Sequence, residues 1–216
     1  MAYFTQDYLD FFQELEKNNS KDWFDQNRKR YENSIRKPMI SLVEDVITGM
    51  QDYDINFHPE PRKCLGRINR DIRFSKDKTP YNLHFFAHIS KGSKENTNPG
   101  IAFRFGGKDS GIMSGFYNPS KEKLIGIKQK IQNQLGEFQQ LKSDKNFIKK
   151  FGEIQGEAYK RIPSEMKATF EKEPLIANKQ FYYVAVKEPQ LALAENLKEI
   201  IIDHWLAAKD LNDFFE

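Results

Sequence analysis

The feature that most constrains the fold is a change of hydrophobic period in the middle third of the chain. Apolar residues alternate with polar ones in three short runs, at 53–57, 83–89 and 101–105. Period two is typical of half-buried strands. A further strand is predicted at roughly 112–117, with a polar hairpin loop at 91–100 and a tighter turn at 106–111. Strands this closely spaced, without intervening helices, favour an antiparallel meander over a parallel sheet of βαβ units.

The flanking regions have helical spacing instead. Residues 1–50 carry apolar stripes at intervals of three and four, and Pro38 is expected to kink or restart the last helix. Residues 118–216 read as mixed helices with one strand at 180–186. The sequence therefore predicts a single α+β domain over 1–216. It is helical at 1–50 and mainly strands at 51–117, so an antiparallel sheet of about 4–6 strands is flanked by N-terminal and C-terminal helices.

Composition supports a globular chain. Charged residues make up 30% of the 216 residues. The aliphatic content is modest, but 18 Phe and 9 Tyr can supply the volume that a hydrophobic core needs. The single cysteine, Cys64, excludes an internal disulfide and indicates a reducing compartment. No stretch resembles a signal peptide or a membrane span, so we expect a cytoplasmic protein with no membrane partner.

Positive charge is concentrated in one segment. The net charge of +3 is too small to imply a nucleic-acid partner, but residues 62–78 carry seven Arg or Lys against two Asp. This local excess favours either a small anionic ligand or a buried ion network. The basic run at 27–32 is interpreted instead as a solvated helix face, with Tyr31 turned inward.

The stretch 67–82, RINRDIRFSKDKTPYN, holds the candidate site. If residues 64–74 are extended, Ile68, Ile72 and Phe74 share the core face and the charged residues largely share the other. Guanidinium groups are rigid bidentate donors suited to phosphate or carboxylate. The predicted ligand-binding residues are Arg67, Asn69, Arg70, Arg73, Ser75, Lys76, Lys78 and Tyr81.

The same residues allow two interpretations. In one, Asp71 or Asp77 orients an arginine or acts as a general base, and the loop binds a small anionic or phosphorylated ligand, with turnover left open. In the other, Asp71 and Asp77 pair with the basic residues in a structural ion network, and the protein is a non-enzymatic module with a protein or nucleic-acid partner. The residues leave both open, and do not decide whether the protein is an enzyme.

Other chemistries lack support. His84 and His88 lie on a predicted strand, where four residues at about 3.3 Å each hold their side chains ~13 Å apart, too far to share a metal ion. No nucleophile elbow, phosphate loop or dinucleotide fingerprint occurs. We therefore predict neither a metal nor a cofactor.

The chain resembles the domain of unknown function 2461 family of conserved hypothetical proteins. The resemblance is carried by FFQELEKNNSKDWFDQNRKRYENSIRKPM near the N-terminus and RINRDIRFSKDKTPYN in the middle, and continues through GFYNPSKEKLIGIKQKI and the helical tail. It implies a single-domain, bacterial-type cytoplasmic protein. It implies no activity, substrate, cofactor or catalytic residue.

Overall fold

The computed structural model describes residues 1–91 and 99–216, so most of the hairpin loop predicted at 91–100 lies outside the described residues. The α-helices are α1 (Gln6–Lys17), α2 (Lys21–Arg30), α3 (Lys37–Gln51), α4 (Pro61–Cys64), α5 (Lys121–Asn133), α6 (Leu135–Lys142), α7 (Lys145–Phe151), α8 (Lys167–Phe170) and α9 (Leu197–Phe215). The strands are β1 (His84–Ser90), β2 (Gly100–Gly106), β3 (Ser110–Phe116) and β4 (Phe181–Lys187). A π-helical segment (Tyr31–Arg36) and short 3₁₀ turns complete the order.

The four strands form one antiparallel sheet in the order β1-β2-β3-β4. The turn between β2 and β3 is closed by a 3.1 Å hydrogen bond from the Gly106 amide to the Asp109 carbonyl. This confirms the α+β class and the antiparallel meander, with a strand count at the lower end of the predicted range.

The strand predicted at 53–57 is wrong. In this segment the Phe57 amide donates to the Asp54 carbonyl at 3.0 Å, and the Asn56 amide donates to the Asp54 carboxylate at 3.2 Å. Asp and Asn side chains offer the backbone such local partners in place of a strand ladder. The apparent alternation of Tyr53, Ile55 and Phe57 therefore arises within turns, and only Phe57 is buried.

Contacts divide the chain into two compact units. Unit 1 comprises Met1–Ile89, Ala102–Ile112 and Val186–Ile202, and unit 2 comprises Ser90–Ile101, Met113–Ala185 and Asp203–Glu216. One domain over the whole chain stays a prediction. The core of unit 1 is rich in aromatic side chains. The buried Tyr8 hydroxyl donates to the Phe105 carbonyl at 3.0 Å, so this polar group has a hydrogen-bond partner despite its burial.

Unit 2 has its own aromatic core and a buried polar network. The Tyr183 hydroxyl donates to the Asn212 side chain, and the Asn212 amide donates to the Ser114 hydroxyl at 2.9 Å. Ser114 in turn donates to the Gly100 carbonyl. Burial raises the pKa of the Tyr183 phenol well above its ordinary value, so it remains a neutral donor.

Candidate functional site

The segment that carries the predicted site leaves the sheet as an extended pair. Leu65 forms an antiparallel bridge to Ala87 of β1, and further along Asn69 forms another to Tyr81. The Arg70 amide donates to the Pro80 carbonyl at 2.8 Å. Residues 71–79 therefore form a loop at the end of a short paired stem.

The predicted face alternation holds for the stem but not for the loop. Ile68 is buried, as expected of an inward-facing position. Phe74 was placed on the same face, yet 94% of its surface is exposed. The physical reason is the turn after Ile72, where the Ser75 amide donates to the Ile72 carbonyl at 3.3 Å and the extended backbone ends. Parity arguments apply only while the chain remains extended.

Ion pairs close the loop on itself. The Arg70 guanidinium lies 2.5 Å from the Asp77 carboxylate and also donates to the Thr79 carbonyl at 3.1 Å. The Arg73 guanidinium lies 2.6 Å from the Asp71 carboxylate. These two arginines, which were predicted to hold a ligand, are each already paired with a carboxylate of their own loop.

The same contacts change the chemistry of the two acids. The Thr79 amide and then the Arg70 guanidinium lower the pKa of Asp77 to about 2. Hydrogen bonds from Arg73 lower the pKa of Asp71. A lowered pKa makes a carboxylate a weaker proton acceptor, so this geometry does not favour either residue as a general base. Their catalytic role stays a prediction.

The remaining predicted residues of the loop have different positions. The Lys78 ammonium donates to the Ile72 carbonyl at 2.9 Å, which closes the loop further. Lys76 is exposed, and Ser75 is half-buried at the turn. None of these three lines the cleft described below.

Tyr81 fastens the base of the loop to helix α2. Its carbonyl accepts from the Asn19 side-chain amide at 2.9 Å, and its own amide donates to the Asn19 oxygen at 3.1 Å. Its buried ring stacks on Phe24, with ring centres 4.1 Å apart and planes 15° from parallel. Tyr81 is therefore a core residue of unit 1 that anchors the stem.

The π-helical segment Tyr31–Arg36 lines a cleft together with residues of the stem. Pro38 has no N–H to donate to the carbonyl four residues before it, at Ser34, and its ring would collide with that carbonyl in a regular α-helix. The segment Tyr31–Arg36, directly before Lys37 and Pro38, widens the helix and relieves that conflict. Such π segments occur frequently at functional sites. The α-helix restarts at Lys37, as the proline led us to expect.

These elements enclose a cleft of about 340 Å³ in unit 1, which we call the arginine cleft. Its wall carries four guanidinium groups, those of Arg28, Arg36, Arg62 and Arg67. Asn69 and Glu32 also line it. Of the predicted ligand-binding residues, the structure therefore brings Arg67 and Asn69 together at one concave site and leaves the others outside it.

Sequence reasoning missed the other three arginines of the cleft. Arg62 was counted in the basic segment 62–78 but was not assigned to the site. Arg28 and Arg36 are eight residues apart with Glu32 between them, a spacing that places side chains along one helix face and could have indicated a shared wall.

Two of the four guanidinium groups are partly neutralised and two are not. Arg28 lies 2.5 Å from the Asp25 carboxylate, and Arg36 lies 3.3 Å from the Glu32 carboxylate. Within residues 1–91 and 99–216, neither Arg62 nor Arg67 has a side-chain ion pair or hydrogen bond. The cleft therefore presents free guanidinium donors to solvent.

His84 and His88 lie on β1 as half-buried strand residues, as predicted. Burial lowers the pKa of both, so each is neutral at physiological pH. In the part of the chain that the structure describes, no group of three or more His, Cys, Asp and Glu side chains could hold a metal ion.

Unit 2 contains a larger cleft of about 620 Å³ beside α7 and α9. It carries both signs of charge, and the Lys150 ammonium lies 3.5 Å from the Asp203 carboxylate across it. Asp144, also on its wall, accepts from the Asn146 and Phe147 amides as the N-cap of α7. Both named carboxylates therefore already have partners, Asp203 in Lys150 and Asp144 in the two backbone amides.

The fold and site define an α+β protein with a cationic cleft. The conserved hypothetical protein family DUF2461 matches residues 7–214, so the chain belongs to that family. Searches of the curated proteins and of the solved structures each gave no significant match. No helix among the described residues is long and apolar enough to cross a membrane.

Proposed function

We propose that the arginine cleft of unit 1 binds a small dianionic ligand, with a phosphate monoester as the best-fitting class. The observation that carries this proposal is the pair Arg62 and Arg67, which both line one concave site and whose side chains have no acidic partner in the described residues. Unpaired arginines on a concave surface favour a planar or tetrahedral oxyanion, because each can donate two parallel hydrogen bonds to it.

The charge of the site supports a dianion over a monoanion. Four guanidinium groups face two carboxylates, those of Asp25 and Glu32, and a surplus of two positive charges remains. A phosphate monoester carries roughly −1.5 to −2 at pH 7 and so matches that surplus. A dicarboxylate matches the charge as well, so malonate is included in the test below to distinguish the two classes.

Size and shape indicate a small ligand. The cleft of about 340 Å³ lies at the lower end of ligand-binding cavities, which run from roughly 300 to 1,000 Å³. Its floor is formed by the buried rings of Phe24, Tyr31 and Phe85. An aromatic floor keeps the site rigid and lowers the local dielectric, which strengthens the attraction between guanidinium and oxyanion.

Binding is better supported than turnover. Glu32 is the acidic residue on the cleft wall, and it is held by Arg36 at 3.3 Å. The lining residues in the described chain offer no serine, cysteine or histidine that could act as a nucleophile or proton carrier. The geometry therefore supports a binding site.

A thermal-shift comparison tests the proposal. The melting temperatures of wild type, Arg67→Gln and Arg62→Gln are measured with inorganic phosphate, ribose 5-phosphate or malonate at matched ionic strength. Each ligand is added up to about 10 mM, which is tenfold above a millimolar Kd. Arg161→Gln, an exposed arginine of unit 2, is the matched control. Ligand at ten times its Kd stabilises by about 1.4 kcal/mol, which is roughly 3–6 °C for a chain of this length.

We expect ribose 5-phosphate to raise the melting temperature of wild type and of Arg161→Gln, and to raise that of the two cleft variants by less than half as much. If none of the three anions stabilises wild type, or if all four proteins respond alike, the arginine cleft is not the binding site.

A further inference from the structure

Phe74 is the most exposed aromatic side chain of unit 1 in the described residues, with 94% of its surface accessible. It lies at the tip of the loop that Arg70 with Asp77 and Arg73 with Asp71 close by ion pairs. The Arg73 guanidinium lies 5.9 Å from the centre of the Phe74 ring. The ion network therefore accounts for the charged residues of the loop but not for Phe74. Because this apolar ring stays in solvent, the protein gains no free energy from burying it.

The surroundings of this ring are cationic. Residues 70–80 contain four basic side chains and two acidic ones. Lys76 is exposed, and no ion pair or hydrogen bond to it occurs within the described residues. A partner that carries both aromatic rings and phosphate groups would suit this surface, because its rings can stack on Phe74 and its phosphates can interact with the surplus positive charges.

The ring and the arginine cleft are close along the chain. Asn69 lines the cleft and Phe74 follows it by five residues, which reach at most about 18 Å even when fully extended. A few nucleotides of an extended single strand cover such a distance. One ligand can therefore occupy the cleft and contact the ring at the same time.

We propose that unit 1 binds single-stranded nucleic acid, with a terminal phosphate monoester in the arginine cleft at Arg62 and Arg67 and an unstacked base on Phe74. The inference rests on the proposed function, since it uses the same anion site, and it names the polymer to which the phosphate belongs. The small overall charge of +3 is no obstacle, because the positive charge is gathered on the segment that would contact the strand.

The shape of the site favours a single strand over two other polyanions. A phospholipid surface is broad, so its headgroups do not enter a concave cleft while the neighbouring ring inserts. Duplex DNA keeps its bases stacked and offers Phe74 no free face. A flexible strand meets both requirements, because its phosphates and bases can turn independently.

The inference is tested by fluorescence anisotropy with an oligothymidylate of about 12 nucleotides that is phosphorylated at its 5′ end and labelled at its 3′ end, a length within the range of known single-strand sites. Wild type, Phe74→Ala and Arg67→Gln are titrated at low and moderate salt. Ile55→Ala is the matched control, because Ile55 is another exposed apolar residue of unit 1, with 78% of its surface accessible.

We expect Phe74→Ala to weaken oligonucleotide binding about fivefold or more, the lower end of the effect of removing a stacking residue. Ile55→Ala is expected to bind like wild type, and affinity is expected to fall as salt rises. Phe74→Ala should keep the full thermal shift with ribose 5-phosphate, whereas Arg67→Gln should show less than half of the wild-type thermal shift and should also bind the oligonucleotide more weakly.

Three results would overturn the inference. Wild type could fail to bind the oligonucleotide while ribose 5-phosphate still stabilises it, which would leave the small-ligand proposal standing alone. Phe74→Ala could bind the strand as tightly as Ile55→Ala does. Duplex of the same length, or vesicles rich in phosphatidylserine, could bind in preference to the single strand and with the same dependence on Phe74.

Discussion

Replacing Phe24 by alanine tests how the arginine cleft is held together. Phe24 is 3% exposed, forms part of the cleft floor and stacks on Tyr81 at 4.1 Å. Its ring also lies 5.1 Å from that of Tyr31 in the π-helical segment. One side chain therefore joins the loop stem to the helix that carries the opposite wall.

The expected cost follows from this burial. Truncation of a buried Phe to Ala costs about 3–5 kcal/mol, since the transfer energy of the ring is lost and a cavity remains. For a chain of this length each kcal/mol corresponds to roughly 2–4 °C, so the melting temperature should fall by about 6–20 °C. Phe74→Ala makes the same chemical change at a ring that is 94% exposed, and should alter stability by no more than about 0.5 kcal/mol.

Urea unfolding followed by circular dichroism measures both variants, and calorimetry shows whether the two units melt in one transition or two. Phe24→Leu, which keeps most of the apolar volume, is expected to fall between wild type and Phe24→Ala. Equal losses of stability for Phe24→Ala and Phe74→Ala would refute this packing, because they would mean that the two rings are buried to the same extent.

Three further predictions follow from individual groups. Asp77 should titrate at about pH 2 by carbon NMR, because its folded pKa lies below the ordinary 3.8; the stabilisation it provides is present above pH 3.8 and is lost as the pH falls towards 2. A titration near 4, like that of a free aspartate, would contradict the contacts with Thr79 and Arg70. Burial raises the pKa of the Cys64 thiol to about 11, so we expect thiol reagents at pH 8 to modify it far more slowly in native protein than in urea. Equal rates would show that the thiol is accessible. Tyr183→Phe removes the first donor of the buried network in unit 2 and should cost about 1–3 kcal/mol in urea unfolding, because a buried acceptor is left unpaired. No loss would mean that water replaces the hydroxyl.

The sequence predicted those elements that local patterns control. The alternation at 83–89 became β1, which is buried on one face only, and the alternation at 101–105 became β2, which is buried on both faces except at Arg104. The hydroxyl of Ser20 caps α2 by accepting from the Trp23 amide at 3.3 Å, a contact between near neighbours along the chain. Asn19, the residue before it, binds the backbone of Tyr81 instead, a partner 62 residues away that no local pattern indicates.

Local patterns also led to errors, because alternation of apolar and polar residues occurs in turns as well as in strands. Tyr53, Ile55 and Phe57 alternate like a strand, but Asp54 supplies turn contacts that compete with a ladder. Phe74 was assigned to the core because residues 64–74 were treated as extended throughout. From its hydrophobicity alone, Phe74 is expected to be buried. The turn after Ile72 ends the extended backbone, however, and so determines that this side chain points into solvent.

The sequence by itself determined the antiparallel α+β class, the aromatic core and the concentration of positive charge at 62–78, because each depends on residue type and on near neighbours along the chain. The tertiary structure decided which of those charges are available. Arg70 and Arg73 meet carboxylates of their own loop, whereas Arg62 and Arg67 reach a cleft wall that Arg28 and Arg36 share. The reason is geometric: a long side chain on a turn or stem points where the backbone directs it, and its partner is fixed only when distant segments pack together.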